Sequence, residues 1–315
     1  MKTKALILAV LLVSCAGGFS QESASTNHFE IVWSVPTNHV PSSVWVYKFV
    51  PQTFAPIVIS NLMAMGSFTS ADQTNIENQP PFKDTRLMYF KNNNWGKREL
   101  GIFPPVGYIY FHDFTAEAKG HAIAVGVPSD EEAYQLGLDY IQKLGIDRSQ
   151  LATKADGSEL RIVKTIEKGG WFDKASGTNF EQNYKRGIYF IRRVNGIDLD
   201  GMVHGGINFE FGNQGKIFRL EILWKGLEPY ELHPTLSAEQ LAEQLRLDKG
   251  KWHPFKPLLA KKITIREAKA FYRGFSEDGE EHKFLEPYIQ LEANVETGTT
   301  NFVSSFDCSL FAPNH

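Results

Sequence analysis

Apolar and polar residues alternate most cleanly over residues 186–230, RGIYFIRRVNGIDLDGMVHGGINFEFGNQGKIFRLEILWKGLEPY, and the pattern predicts three antiparallel strands. Residues 187–194 carry the β-branched and aromatic bias of a strand, and Asn195-Gly196 marks a turn. Over 207–211, Ile207, Phe209 and Phe211 fall on one face, with Asn208 and Glu210 on the other. After Gly212-Asn213-Gln214-Gly215, residues 217–224 offer Phe218, Leu220, Ile222 and Trp224 as the matching apolar set. A two-residue turn at Asn213-Gln214 predicts Phe209 opposite Phe218 and Ile207 opposite Leu220. A one-residue slip would set apolar side chains against Arg219 and Glu221, so the pattern itself selects the face.

Further strands are expected at 29–35 (an edge strand broken by Pro36 and Pro41), 44–50, 86–90, 98–103, 108–111 and 161–166. Two long strands follow at 263–275 and 284–295, and a last one puts Phe302, Phe306, Cys308 and Leu310 on one face. Residues 67–83, 168–185 and 249–257 read as loops rich in Gly, Pro or Asn.

Three helices interrupt the strands. Pro56 suits the first turn of one that ends at Gly66. Ser129 and Glu132 form a capping box ahead of a helix over 130–144, whose Ala133, Leu136, Gly137, Tyr140, Ile141 and Leu144 share a face before Gly145. Ser237 and Gln240 repeat the box ahead of a shorter helix bearing Leu241 and Leu245. Lone helices among runs of strands imply α+β architecture, with antiparallel sheets each covered by one helix. The expected organisation is a leader and tether over 1–20, an N-terminal α+β domain over 27–126 and a C-terminal one over 127–315. The last divides into units of about 127–230 and 231–315.

Composition narrows the class of protein. The chain has 315 residues, of which 42% are hydrophobic, 22% charged and 13% aromatic, as in a folded protein with β-rich cores. Its net charge is −3, with no basic run, which argues against nucleic acid as a partner. Lys2 and Lys4 precede an apolar stretch over 5–13 that is too short to span a bilayer and fits a secretory leader. Leu12-Val13-Ser14-Cys15 resembles the bacterial lipobox, in which the Cys becomes the lipidated N-terminus. Ordinary cleavage over 16–20, giving a soluble exported protein, is the alternative. Membrane contact is thus expected through a lipid on Cys15 only. Cys308 is the other cysteine, and its apolar strand face predicts a free buried thiol rather than a nucleophile.

Little in the sequence carries chemistry. His112, Asp113 and His121 form the tightest imidazole and acid group, but their spacing matches no helical metal motif. His204, His233 and His253 sit in turn-like contexts, and no G-x-S-x-G elbow or phosphate loop is present. Asp198/Asp200 and Glu280/Glu281 lie in turns, where acids are common for backbone reasons. No catalytic residue, metal or cofactor is expected. Arg192 and Arg193 are more informative, because successive strand residues face opposite ways and one must point to the apolar side. That residue is expected to snorkel or to pair with Glu210 or Glu221, or else to contact an anionic partner group. Arg192, Arg193, Trp224 and Tyr230 are the candidate binding residues, with Trp171-Phe172 as further aromatics.

The order of elements resembles the extracytoplasmic YycH/YycI regulator family and the PepSY-like small domains related to it. The residues that carry the resemblance are Leu144-Gly145-Ile146, FIRRVNGIDLDG over 190–201, GGINFEFGNQGKIFRLEILW over 205–224, and LEPY before a capped helix. AKAFYRGF over 268–275, leading through a polar turn to FLEPYIQLEA over 284–293, is similar to the closing unit of YycI. The likeness covers roughly 127–311, with a fainter echo over 44–111. It implies PepSY/YycI-like units and non-catalytic domains outside the membrane, which in YycH/YycI modulate a sensor kinase and in PepSY domains are proposed to bind peptides or inhibit proteases. A lipid tether departs from that family's transmembrane helix, which sets kinase regulation aside. The expected function is a protein-interaction or regulatory module of a bacterial envelope lipoprotein, whose sheet edges or grooves receive an envelope protein or peptide. The alternative is a secreted hydrolase acting on envelope or extracellular polymer.

Overall fold

The computed structural model describes residues 29–35, 40–74, 88–91, 98–117, 124–154, 157, 160, 162–200, 205–254, 259–275 and 281–311. Seventeen strands and three α-helices stand among them. The strands form two large sheets, one of them curled into a half-barrel.

The first sheet has eight strands, all antiparallel to their neighbours. They are β3 (Gln73–Thr74), β4 (Met88–Lys91), β5 (Arg98–Phe103), β6 (Tyr108–Asp113), β7 (Ile162–Asp173), β8 (Thr178–Ile191), β11 (Gly206–Phe211) and β12 (Ile217–Leu223). Their order is β3-β4-β5-β6-β12-β11-β8-β7. The β6–β12 pairing joins residues from either side of Gly126 into one ladder. One face is apolar: Leu100, Ile102, Ile109, Ile188, Ile207, Phe209 and Leu220 are fully buried there. Both α1 (Pro56–Gly66) and α2 (Asp130–Lys143) pack on this face, through Leu62 and through Ala133, Tyr134 and Ile141. Asn61 on α1 donates to the Lys143 carbonyl at the end of α2. Each buried aromatic or aliphatic side chain stabilises the stack by roughly 1.5–3 kcal/mol.

The second sheet has nine strands and is mixed. It comprises β1 (Glu30–Trp33), β2 (Ser43–Val50), β9 (Arg193–Val194), β10 (Ile197–Leu199), β13 (Gly226–Pro234), β14 (Lys251–His253), β15 (Lys262–Phe275), β16 (Glu281–Glu296) and β17 (Asn301–Ser309). The long β15–β16 hairpin is its spine. β17 lies along the outer edge of β16 at one end and β2 at the other, with β13 beyond β2. β1 and β10 both run parallel to β15, at opposite ends of it. The helix α3 (Ala238–Arg246) buries Leu241 and Leu245 with Ile263, Ile289 and Phe306.

The expectation of α+β units, antiparallel sheets each covered by one helix, is therefore corrected. The chain is mostly β; two helices share one large sheet, and the other sheet contains parallel pairs. The physical reason is pairing between distant strands, which merges runs that local periodicity treats as separate.

The capping boxes at Ser129/Glu132 and Ser237/Gln240 are formed as expected, and Gly145 adopts the left-handed conformation that ends α2. Three readings of detail differ. Residues 168–185 are not a loop but the extended part of the β7–β8 hairpin. Residues 251–253, read as loop, form β14. The β11–β12 register places Phe209 opposite Leu220 and Ile207 opposite Ile222, with a bulge at Phe218. The turn is longer than two residues: Gly212 N–H donates to Lys216, and Gln214 and Gly215 both take positive φ. Phe218 consequently leaves the helix-covered side and meets His112 on the other face.

Candidate functional site

Two short segments carry the chain from the first sheet into the second, Arg192 between β8 and β9 and Trp224-Lys225 between β12 and β13. They meet. Arg192 Nη1 donates to the Lys225 carbonyl at 2.6 Å, and its guanidinium lies 4.7 Å from the Trp224 ring. Lys225 Nζ stands 4.6 Å from the Phe49 ring on β2. Burial pulls the Arg192 pKa down to about 10 and lowers that of Lys225. This junction fixes the relative position of the sheets through backbone and ring contacts.

Beside the junction a cleft of about 830 Å³ opens against the second sheet, walled by β2, β9, β10 and β15 and by Thr153, Lys154 and Leu160 from the segment between α2 and β7. Its walls include Trp45, Thr153, Leu160, Ile197, Ala268 and Tyr272. Arg193 projects into it because β9 and β10 form a tight hairpin across Asn195-Gly196, whose register sets Arg193 opposite Asp198. Arg193 Nε donates to Asp198 Oδ1 at 2.7 Å, and its other nitrogens reach the Thr153 hydroxyl and carbonyl. Asp198 is only 5% exposed, and Lys269 Nζ on β15 lies 3.5 Å from its second oxygen. One buried carboxylate thus serves two cations. Below them Tyr272 donates to the Trp45 carbonyl at 2.9 Å and packs edge-on against Tyr47, to which Asn195 donates. The cleft therefore has an apolar floor and a fixed ionic rim, an arrangement suited to holding a segment with both apolar and charged groups.

Two of the four described candidates, Arg192 and Trp224, meet at the junction, and Arg193 lies in the adjoining cleft. Neither arginine pairs with Glu210 or Glu221, which correct that expectation by engaging Arg219 instead, at 3.8 and 2.7 Å. Tyr230 stands apart on β13, 58% exposed, with its ring 4.8 Å from Phe284. Phe172 is exposed near the tip of the β7–β8 hairpin, away from the cleft. Cys15, His121 and His204 lie outside the described residues.

No family model matches the chain, and no curated protein matches it significantly. The resemblance to YycH/YycI thus stands on the quoted motifs alone.

Of the imidazole and acid group, His112 and Asp113 are neighbours on β6 and face opposite ways. Asp113 accepts from Arg98 and from Thr115, while His112 lies against Phe114 and Phe218. Burial, with Arg219 second, lowers the His112 pKa. Among the described residues no three His, Cys, Asp or Glu side chains stand close enough to hold a metal. Two acid–imidazole pairs stand 3.3 Å apart among the described residues, His233 Nε2 with Glu231 and His253 Nε2 with the buried Asp307. The Asp307 carboxylate also accepts from Arg273 and Gln290, and no described hydroxyl or thiol bonds to the His253 imidazole. Cys308 is buried, and burial raises its pKa to about 12, which leaves it a protonated thiol.

Sequence reasoning missed Thr153, Lys154, Asp198 and Lys269 as cleft residues. Asp198 had a usable signal. A tight Asn-Gly hairpin after Arg193 sets an acid opposite it, so the pair was deducible from the turn. Lys269 had none, since only the β10–β15 pairing brings it near.

Proposed function

We propose that this chain is a non-catalytic, extracytoplasmic protein-interaction or regulatory module of a bacterial envelope lipoprotein, whose cleft on the second sheet receives a segment of an envelope protein or peptide. The observation that carries this reading is the state of Asp198. It is the buried carboxylate of the cleft, and it is committed to Arg193 and Lys269. A carboxylate held between two cations shapes and charges a rim; a general acid or base needs its proton free to move. The apolar floor from Trp45 to Tyr272 supports the same reading, since a bound segment gains most of its affinity from such surface.

Photo-cross-linking tests it. A photoreactive amino acid is placed at Lys154 in the full chain, exported in bacterial cells, with Glu239 on α3 as the control position. The expected result is a discrete adduct from position 154 that Ala270→Trp abolishes by filling the cleft. Equal adducts from both positions, or an adduct that survives Ala270→Trp, would reject the cleft as the site. The anchor has its own test: Cys15→Ala is expected to move the protein from the membrane to the soluble fraction, and continued membrane partition would sink lipidation.

A further inference from the structure

Among the described residues, pairing along one edge of β15 is interrupted where it borders the cleft. β1 pairs with it as far as Ile265, and β10 takes up pairing again at Phe271. No described strand pairs with residues 266–270 on that side, and Glu267, Ala268, Lys269 and Ala270 all line the cleft. Arg266 is the extra residue of a bulge, so the strand alternates afresh after it. Tyr272 offers its carbonyl to Asp200 N–H on the cleft side, which by alternation turns the backbone groups of Ala268 and Ala270 the same way. The gap is about 16 Å long at about 3.3 Å per residue.

We infer that this gap takes an extended, acidic polypeptide segment as an added β-strand, in line with β1 and β10. The inference rests on the cleft being the binding site and adds the mode and chemistry of the occupant. Two arguments fix that chemistry. A row of strand N–H and C=O groups is matched in spacing by another extended backbone, so the occupant is a polypeptide. Among the described residues the charges around the gap are Arg193, Lys154 and Lys269 against Asp198 and Glu267. Asp198 already serves two of those cations, which leaves the rim short of negative charge and favours an acidic side chain on the incoming strand.

The outer edge of the same sheet shows the contrast. β13 ends its ladder with Pro229 and Pro234 and with exposed Glu228 and Glu231, features that discourage further pairing. Residues 266–270 carry no proline, and Glu267, Ala268, Lys269 and Ala270 line the cleft. Ala268 and Ala270 are small, which leaves room above them for the side chains of that chain.

The test uses the full chain and a degenerate library of labelled, acetylated heptapeptides. Glu is fixed at the centre, with Val, Ile, Thr, Ser and Ala elsewhere, and fluorescence polarisation is the readout. Two counterparts accompany it, one with alternate amides N-methylated and one with Lys at the centre. Saturable binding is expected for the Glu library, weakened at least about tenfold by N-methylation and about fivefold by central Lys. Lys269→Glu in the protein is expected to reverse the preference between Glu and Lys libraries; because it also sets a carboxylate beside Asp198, its melting curve is measured alongside and the preference is compared only in folded protein. Ala268→Pro, which removes one edge N–H, should abolish binding; the peptide-side methylation carries the same question if that variant folds poorly. Equal binding of methylated and unmethylated peptides, lost in Ala270→Trp, would overturn strand addition while leaving the cleft reading intact. Binding indifferent to Ala270→Trp, or none by any library, would overturn both.

Discussion

The two sheets solve the same problem differently. In the eight-stranded sheet every strand from β4 to β8 in the spatial order has a partner on each side, and two helices close one face. Its exposed face is largely covered by its own side chains, with His112 Nε2 and Asn208 Oδ1 left unpaired among the described residues. Gly101 leaves the space that the Tyr110 ring covers, and Tyr108 donates to Glu221, which also holds Arg219 and Asn208. In the nine-stranded sheet the described residues leave one edge of the spine strand β15 interrupted. The difference suggests a division of labour. One sheet spends its sequence on a closed, self-sufficient core, and the other leaves backbone and charge at a cleft wall. Backbone polar groups must be paired somewhere, so an interrupted ladder beside a cleft marks where a partner can complete it.

The comparison breaks most severely in the first core. Phe209 is fully buried between Phe190, Phe211 and Tyr140, at ring separations of 5.9 to 6.1 Å. Phe209→Ala is expected to cost about 3–5 kcal/mol, because α2 and the sheet cannot collapse onto the void. Urea denaturation followed by far-UV circular dichroism measures it; a loss under 1 kcal/mol would mean this core is not the load-carrying one. A smaller effect is expected at the cleft. Asp198→Asn leaves Arg193 and Lys269 without their shared carboxylate and should cost about 1–3 kcal/mol, the lower end reflecting the partial exposure of both cations. Peptide binding should fall in the same variant. If stability falls and binding does not, the ionic rim serves the fold alone.

Below these lie the helix caps. Ser129→Ala and Ser237→Ala each remove one capping hydrogen bond, Glu132 N–H to Ser129 and Gln240 N–H to Ser237, and each should cost about 1 kcal/mol. α2 packs on the first sheet and α3 on the second. Equal losses in a denaturation experiment would show that both helices unfold with the whole molecule. A loss seen only for Ser129→Ala would show that α3 frays independently of the second core.

These elements also show what the sequence carried. The caps, the limits of all three helices and the faces of the strands with clear alternation were legible, because capping and alternation are local properties, whereas β3, β10, β13, β14 and the outer half of the β7–β8 hairpin were not read as strands. The β11–β12 register was read two residues short, since the positive-φ turn at Gln214 and Gly215 admits a bulge that a tight Asn-Gln turn does not. The architecture was illegible for a different reason. Nothing local to β6 reveals that it pairs with β12, more than a hundred residues away, and that single ladder merges two imagined sheets into one. The junction of Arg192 with Trp224 and the cleft at Arg193 were half visible. The arginines announced themselves by their clash with alternation, whereas Lys269 and the open edge exist only in the assembled sheet.

The smallest expected effect separates the two sheets by pH. His112 lies on the exposed face of the first sheet, half-buried, with Phe114 and Phe218 around its ring and its Nε2 without a hydrogen-bond partner among the described residues. Burial and the nearby Arg219 hold its pKa below the ordinary 6.5. The unfolded chain therefore takes up a proton near pH 6.5 while the folded chain still resists it. Stability from this site is fully present above that pH and is lost as pH falls through 6.5 toward the lowered folded value. His112→Gln removes the titrating group and should flatten that part of the curve. Melting temperatures of wild type and variant, compared between pH 7.5 and pH 5.5, measure the difference. A wild-type curve that rises on acidification, or one that His112→Gln leaves unchanged, would show that this aromatic cage is open to water. The first sheet would then lack the closed exposed face that distinguishes it from the second.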